Sequence, residues 1–123
     1  MPQVKFTGLT PHLSQNKSDL SDIVHSTMQD CLGVKTDKRF HHFLPMTPEW
    51  FVFGPGRTEQ YTLIEISLFA GRTGEEKTTF IKTLCGRLHD ELSISLEDIE
   101  VMLFEVPKEN WGIYGKPCSE LTF

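Results

Sequence analysis

A strand–helix–strand plan that occurs twice is the feature of this sequence that most constrains its fold. In each copy, a segment with strand character precedes a helical apolar pattern, and a second strand-like segment follows. The two helical patterns end at Leu32 and Leu92, which are 60 residues apart. Two βαβ units related by duplication explain this most simply. We therefore predict an α+β protein with a four-stranded mixed sheet and two helices on one face.

The first copy is predicted over residues 2–45. Polar and apolar residues alternate in Pro2-Gln3-Val4-Lys5-Phe6, as they do in a strand, and a loop is expected over residues 8–12. Gly33 is placed to end the helix, and a second strand is expected over residues 39–44. The apolar face of the helix is formed by residues at steps of three and four, namely Leu20, Ile23, Val24, Met28, Cys31 and Leu32.

The second copy is predicted over residues 61–106. It opens with a β-branched and aromatic strand at 61–69 and closes with a strand at 99–106. Thr73 and Glu76 have the spacing of a capping box, which predicts the start of the intervening helix. The buried face of that helix is expected to consist of Phe80, Ile81, Leu84, Cys85, Leu88 and Leu92.

The remaining residues belong to the same single domain, as a connecting segment over 46–60 and a C-terminal tail over 107–123. Within the connecting segment, the aromatic stretch 50–53 predicts either a small edge strand or an apolar loop. Alternation along the later strands places apolar residues on the sheet face that the helices leave open. These apolar residues are Ile64, Ile66, Met102 and Phe104. We expect them to be buried against other subunits.

Composition excludes several classes of function. A net charge of −5 and the absence of a Lys/Arg cluster argue against a nucleic-acid partner. Neither a membrane span nor a leader sequence is recognisable, so the cytoplasm is the expected location. Three cysteines without C-x-x-C spacing indicate reduced thiols, and the adjacent His41 and His42 would point to opposite faces of a strand. We therefore predict no metal site.

Pro2 is a candidate general base. Removal of Met1 would make it a secondary amine at the N-terminus, and an α-amino group titrates near ~7.7–8.0. Burial or a nearby cation lowers such a pKa, which would let the amine accept a proton near neutral pH. The alternative is that Pro2 takes no part in chemistry.

Three segments resemble the tautomerase superfamily. Residues 68–77 read L-F-A-G-R-T-G-E-E-K and are similar to a G-R-[ST]-x-E-x-K turn of that superfamily. Residues 37–40 resemble its D-R-F element, and residues 104–112 resemble an E-x-x-x-x-x-W region of its longer members. The resemblance covers nearly the whole chain and is weakest over 10–20 and 45–60.

This resemblance implies a tautomerase/macrophage migration inhibitory factor-like fold assembled as a homotrimer. It implies a cofactor-independent keto–enol tautomerase, an isomerase, acting on a small 2-keto or enol carboxylic acid. Pro2 would be the general base. Arg72 would bind a carboxylate or enolate oxygen, the alternative being a surface pair with Glu75 or Glu76.

Two further residues are candidates for substrate binding. Arg39 would assist from the second strand, with a structural salt bridge as the alternative. Trp111 would wall the pocket, with a plug at a subunit interface as the alternative.

Chain length and the tryptophan in the tail are closest to the malonate semialdehyde decarboxylase-like branch, with three departures. Ala70-Gly71-Arg72 stands where that branch has Arg-Pro-Arg, Lys38 stands where it has an acidic residue, and Ile113 replaces a frequent Phe. These departures argue against efficient decarboxylation. Two alternatives to the tautomerase stay open. One is a 3-oxo acid decarboxylase or hydratase, and the other is a non-catalytic binding or signalling protein.

Overall fold

The computed structural model describes residues 2–123, and its elements follow the duplicated plan. The first copy contains β1 (Gln3–Leu9), α1 (Thr10–Leu32) and β2 (His41–Met46), and the second contains β3 (Thr62–Phe69), α2 (Gly74–Leu92) and β4 (Ile99–Val106). In the tail, β5 (Gly112–Ile113) and β6 (Lys116–Pro117) form a small antiparallel ladder.

The main sheet has the strand order β2-β1-β3-β4. β1 and β3 pair antiparallel at its centre, while β2 runs parallel to β1 and β4 runs parallel to β3. The predicted four-stranded mixed sheet with tandem βαβ units is thereby confirmed. Since β1 and β2 are parallel, the chain that leads into β2 lies beside the start of β1.

The core lies between the two helices and one face of the sheet. Ile64 and Ile66 are fully buried in this core, so their predicted place on the open face is wrong. Alternation fixes which residues share a face but not which face meets the helices. Met102 and Phe104 do lie on the open face, where they are 37% and 44% exposed.

The helix ends lie where their local sequence signals predict, with one exception, the loop expected over residues 8–12. No loop separates β1 from α1, because α1 begins at Thr10 with Pro11 in its first turn, where a missing N–H costs no hydrogen bond. Gly33 ends α1 in the left-handed conformation (φ 68°), as predicted. The capping box of α2 is also formed: Glu76 N donates to Thr73 Oγ1 at 3.1 Å, and Thr73 N donates to the Glu76 carboxylate at 3.0 Å.

The aromatic stretch after β2 forms a loop and not an edge strand. It begins with a 3₁₀ turn at Pro48–Trp50. Phe51, Phe53 and Tyr61 then pack together with ring centroids 5.1–5.6 Å apart. Burial and a hydrogen bond to Glu100 raise the pKa of the Tyr61 hydroxyl to about 12.

His41 and His42 lie on opposite sides of the sheet, as predicted. His41 faces α1, where its Nδ1 lies 2.7 Å from Ser21 Oγ, and His42 is exposed on the open face. Within residues 2–123, no cluster of three or more His, Cys, Asp or Glu residues is arranged to hold a metal ion. None of the helices formed by these residues is long and apolar enough to cross a membrane.

His41 is expected to make the protein less stable in acid. Burial, with the nearby Arg39 and His25 charges, lowers the pKa of His41 from 6.5 to about 4, although Asp22 opposes this. Between pH 6.5 and 4 the unfolded chain therefore binds more protons at His41 than the folded chain does. The free energy of unfolding should fall as the pH is lowered through this window.

The substitution His41→Gln should flatten that fall without abolishing it, since burial also lowers the pKa of His12. Urea unfolding of both proteins at pH 7, 6, 5 and 4 measures the two slopes. Equal slopes for wild type and variant would contradict the assignment to His41.

Candidate active site

Pro2 is buried at the start of β1 and lines a cavity of about 160 Å³. The position is fixed from the next residues onward, because Val4 N donates to the carbonyl of Phe40 at 2.9 Å, ahead of β2. β1 is also one of the two central strands of the main sheet, paired with β2 on one side and β3 on the other. A residue at this place is held rigidly against the cavity.

Arg72 lines the same cavity, so the structure brings together the two residues predicted to carry the chemistry. It follows Gly71, whose φ of 125° is a conformation that L side chains rarely adopt, and it precedes Thr73, the N-cap of α2. Arg72 Nη2 donates to the carbonyl of Leu32 at 3.1 Å. That carbonyl belongs to the last residue of α1, where the helix dipole favours a cation.

The alternative of a surface pair is not observed. Among the described residues, Arg72 forms no salt bridge with Glu75 or Glu76. Its guanidinium therefore keeps donors that can bind an anion in the cavity.

The segment between α1 and β2 supplies the rest of the wall. Val34, Lys35 and Lys38 line the cavity, together with Phe123 from the tail. Sequence reasoning treated Lys38 only as a departure from a related branch and did not consider Lys35. The signal that could have found them is the parallel pairing of β1 and β2, which puts the chain before β2 next to Pro2.

Arg39 and Trp111 do not line this cavity. Arg39 forms a 2.6 Å ion pair with Asp22 and borders a separate depression of about 450 Å³. Trp111 packs edge-on against Phe69 at 5.1 Å, and Phe69 in turn contacts Phe123 at 5.6 Å. Phe69 therefore connects Trp111 to Phe123, which lines the cavity. A substrate-binding role for Arg39 or for Trp111 stays a prediction.

The comparison with known families agrees with this geometry. The sequence model of the family Tautomerase_2, described as "Tautomerase enzyme", matches residues 38–114, which is more than half of the chain. The chain belongs to this tautomerase family.

Relatives of this tautomerase match either most of the chain or about half of it. "Probable tautomerase YusQ" of Bacillus subtilis (strain 168) is 27% identical over 111 residues, covering 82% of this chain and 87% of the relative. A 2-hydroxymuconate tautomerase of Pseudomonas sp. (strain CF600) is 32% identical over 59 residues, covering 48% of this chain and 94% of the relative. A match of about half the chain to nearly the whole of a shorter relative agrees with the duplicated plan.

Solved structures confirm the superfamily and the fold. A malonate semialdehyde decarboxylase has a TM-score of 0.79 and 26% identity, covering 90% of this tautomerase and 89% of the decarboxylase. A native fused 4-OT has a TM-score of 0.85 and 21% identity, with 97% and 98% of the two chains covered. At 21% identity, the similarity to the fused 4-OT shows the fold alone.

The C-terminal tail of this tautomerase is anchored to the rest of the chain at Cys118. Cys118 is fully buried, and its backbone N–H donates to the carbonyl of Trp111 at 2.7 Å. Because it is buried, the Cys118 thiol is out of reach of a substrate and is not placed to act as a nucleophile.

Proposed function

We propose that this tautomerase uses Pro2, after removal of Met1, as the general base in keto–enol conversion of a small 2-keto or enol carboxylic acid. The observation that carries the proposal is that Pro2 and Arg72 line one small cavity. In this proposal Pro2 supplies the proton shuttle and Arg72 the anion binding that such a reaction requires, and no step calls on a cofactor.

The reaction is an isomerisation in which no proton is gained or lost overall. In the enol-to-keto direction, the Pro2 nitrogen takes the enol O–H proton and returns a proton to the neighbouring carbon. The Arg72 guanidinium binds the carboxylate through parallel hydrogen bonds and favours the enolate intermediate by its charge.

Electrostatics of the cavity favour the free base. Three cations, Arg72, Lys35 and Lys38, line it, and no acidic side chain among the described residues does so. Positive charge nearby disfavours a protonated amine, and so does burial. We expect the pKa of a free Pro2 amine to lie below the ~7.7–8.0 of an ordinary N-terminus.

A homotrimer is part of the proposal. Met102 and Phe104 are exposed on the open sheet face, and β2 and β4 are its edge strands. Burial of this face and these edges in an assembly would remove both features from water. Fused 4-OT proteins of similar fold have been solved as trimers.

The second candidate is a decarboxylase or hydratase of 3-oxo acids, favoured by the likeness to malonate semialdehyde decarboxylase. In that reaction a protonated Pro2 would polarise a carbonyl. Ala70 occupies a position where that branch carries an arginine, so one of its cations is missing here.

The pH dependence of phenylenolpyruvate ketonisation tests the proposal. Using protein whose N-terminus is verified as Pro2 by mass spectrometry, kcat/KM should fall as the pH drops through the pKa of the amine, because a base must be unprotonated. A fall on the alkaline side would indicate an acid and favour the second candidate. Conversion no faster than in buffer would overturn the tautomerase proposal.

A further inference from the structure

We propose that His25 is a positioning residue of the candidate active site: it holds the turn over residues 35–38 in place, and with it the two lysines beside Pro2. His25 itself lies on α1 and does not line the cavity. This inference rests on the proposed function, since its effect on the reaction passes through the Pro2 amine.

His25 reaches the turn through one hydrogen bond. Its side chain is buried, with 1% exposed, and its Nε2 lies 3.0 Å from the carbonyl oxygen of Thr36. A carbonyl oxygen can only accept, so His25 Nε2 carries the proton and donates. Gln29, one helical turn later on α1, donates from its Nε2 to Thr36 Oγ1 at 2.8 Å. Two side chains of α1 therefore hold the carbonyl and the hydroxyl of one residue of the turn.

The turn that is held in this way forms part of the cavity wall. Lys38 N donates to the carbonyl of Lys35 at 3.0 Å, so the two lysines flank Thr36 on one closed turn. Both lysines line the cavity with Pro2. Within residues 2–123, neither lysine side chain forms a salt bridge. Their distance from Pro2 is therefore set by the backbone of the turn.

The other ring nitrogen of His25 has no comparable contact. His25 Nδ1 is buried and has no hydrogen-bond partner among the described residues. The ring of His41 from β2 stands edge-on to it, with centroids 6.0 Å apart. Within the described chain, the contact that distinguishes His25 from an apolar ring at this place is its bond to Thr36.

The second copy of the fold forms the equivalent turn without such a residue. Asp98 N donates to the carbonyl of Ser95 at 2.9 Å, and this pair lies 60 residues after the lysine pair. The residue 60 positions after His25 is Cys85, which cannot reproduce the bond of an imidazole N–H. The turn of the second copy does not line the cavity of Pro2. The histidine is thus present in the copy whose turn contributes to the site.

The position of the turn should affect how easily Pro2 is protonated. Of the three cations of the cavity, Lys35 and Lys38 belong to the held turn, and Arg72 belongs to the turn before α2. The tail contributes Phe123, with the carboxylate at the end of this sequence. Each cation disfavours a protonated amine, by an amount that falls with distance and with exposure to salt. Release of the turn should therefore raise the pKa of the amine while Arg72 stays in place.

The pH profile of phenylenolpyruvate ketonisation by His25→Phe tests this inference, in protein verified to begin at Pro2. Phenylalanine keeps an aromatic ring in the core but removes the donor. The acid limb of kcat/KM should move to higher pH by about 0.5 to 1 pH unit, which lowers the rate on the acid side about 3- to 10-fold. The alkaline plateau should change less than about threefold, because the base is free there. Damage to the fold alone would lower the plateau and leave the limb in place.

Three further variants make the test specific. His25→Gln should return the limb toward its wild-type position, because the glutamine Nε2 can donate to the same carbonyl. Gln29→Met, at a half-buried position, releases the hydroxyl of Thr36 and should move the limb in the same direction by less, which keeps the test valid if His25→Phe does not fold. His89→Phe is the control. It removes the 2.8 Å bond from His89 Nδ1 to the carbonyl of Ile94 in the second copy and should leave the limb unchanged.

A double-mutant cycle tests whether the effect passes through the lysines. Lys35→Gln/Lys38→Gln should itself move the acid limb to higher pH. Adding His25→Phe to that variant should move the limb no further, because the charges that the turn holds are gone. The inference would be overturned by a wild-type limb in His25→Phe, by an equal movement in His89→Phe, or by a full additional movement in the variant without the lysines.

Failure of the proposed function would be distinguishable from failure of this inference. If the enol is converted no faster than in buffer, ¹⁵N NMR titration of the Pro2 amine still measures its pKa. A higher pKa in His25→Phe than in wild type would support the inference, and equal values would overturn it. Hydrogen exchange of the Lys38 amide, which closes the turn, should also be faster in His25→Phe. Unchanged exchange would show that His25 does not hold the turn.

Discussion

Protein that retains Met1 is expected to be about 10²- to 10⁴-fold less active than protein that begins at Pro2, which is the range that a positioned general base contributes. Retention of Met1 makes the Pro2 nitrogen part of a tertiary amide, which has no basic lone pair. Ketonisation of phenylenolpyruvate by the two forms, each verified by mass spectrometry, gives the ratio directly.

Substitution at Pro2 should have a smaller effect than blocking its nitrogen. After Met1 removal, Pro2→Ala leaves a primary amine, which can still accept a proton but lacks the fixed ring. A matched control is Pro55→Ala, in the exposed loop after β2, which should retain full activity. Comparable activity of the Met1-retaining form and the processed form would show that Pro2 is not the base.

Much of the fold could be predicted because its signals are local. The spacing of apolar residues located both helices, and the Thr73–Glu76 capping box gave the start of α2. The bounds of β4 agree with the prediction over 99–106. The side of β3 that meets the helices was predicted wrongly, although the strand itself carries a signal: Ile64 and Ile66 alternate with the polar Glu65 and Ser67, which lie on the open face.

The candidate site was predicted only in part, because most of it is assembled by long-range contacts. Pro2 and Arg72 could be named from the chain start and one turn motif. The placement of Lys35 and Lys38 at the cavity depends on the parallel alignment of β1 and β2, which no single segment encodes.

Arg39 illustrates the same limit at the level of one residue. Neighbouring residues of a segment that leads into a strand point to opposite sides. Lys38 lines the cavity beside Pro2, while Arg39 pairs with Asp22 on the outside of α1. Of these two adjacent cations, only Lys38 therefore lines the cavity of its own chain.

Truncation of Phe6 is expected to have the largest effect on stability, with Phe6→Ala lowering the free energy of unfolding by about 3–5 kcal/mol. Phe6 is fully buried in the central strand β1, directly between Phe43 of β2 and Ile64 of β3 in the register of the sheet. Its ring stacks on Phe43 at a centroid distance of 4.5 Å. Alanine would remove this contact and leave a cavity beneath both helices.

Urea unfolding at a single protein concentration measures this loss, since any assembly makes the apparent stability depend on concentration. Phe6→Leu should recover a large part of the free energy because it refills most of the volume. Leu96→Ala, at a position that is 54% exposed, is the control and should change the free energy by no more than about 0.5 kcal/mol. A loss for Phe6→Ala as small as that of the control would contradict a core centred on β1, and with it the placement of Pro2, which lies four residues earlier, directly before that strand.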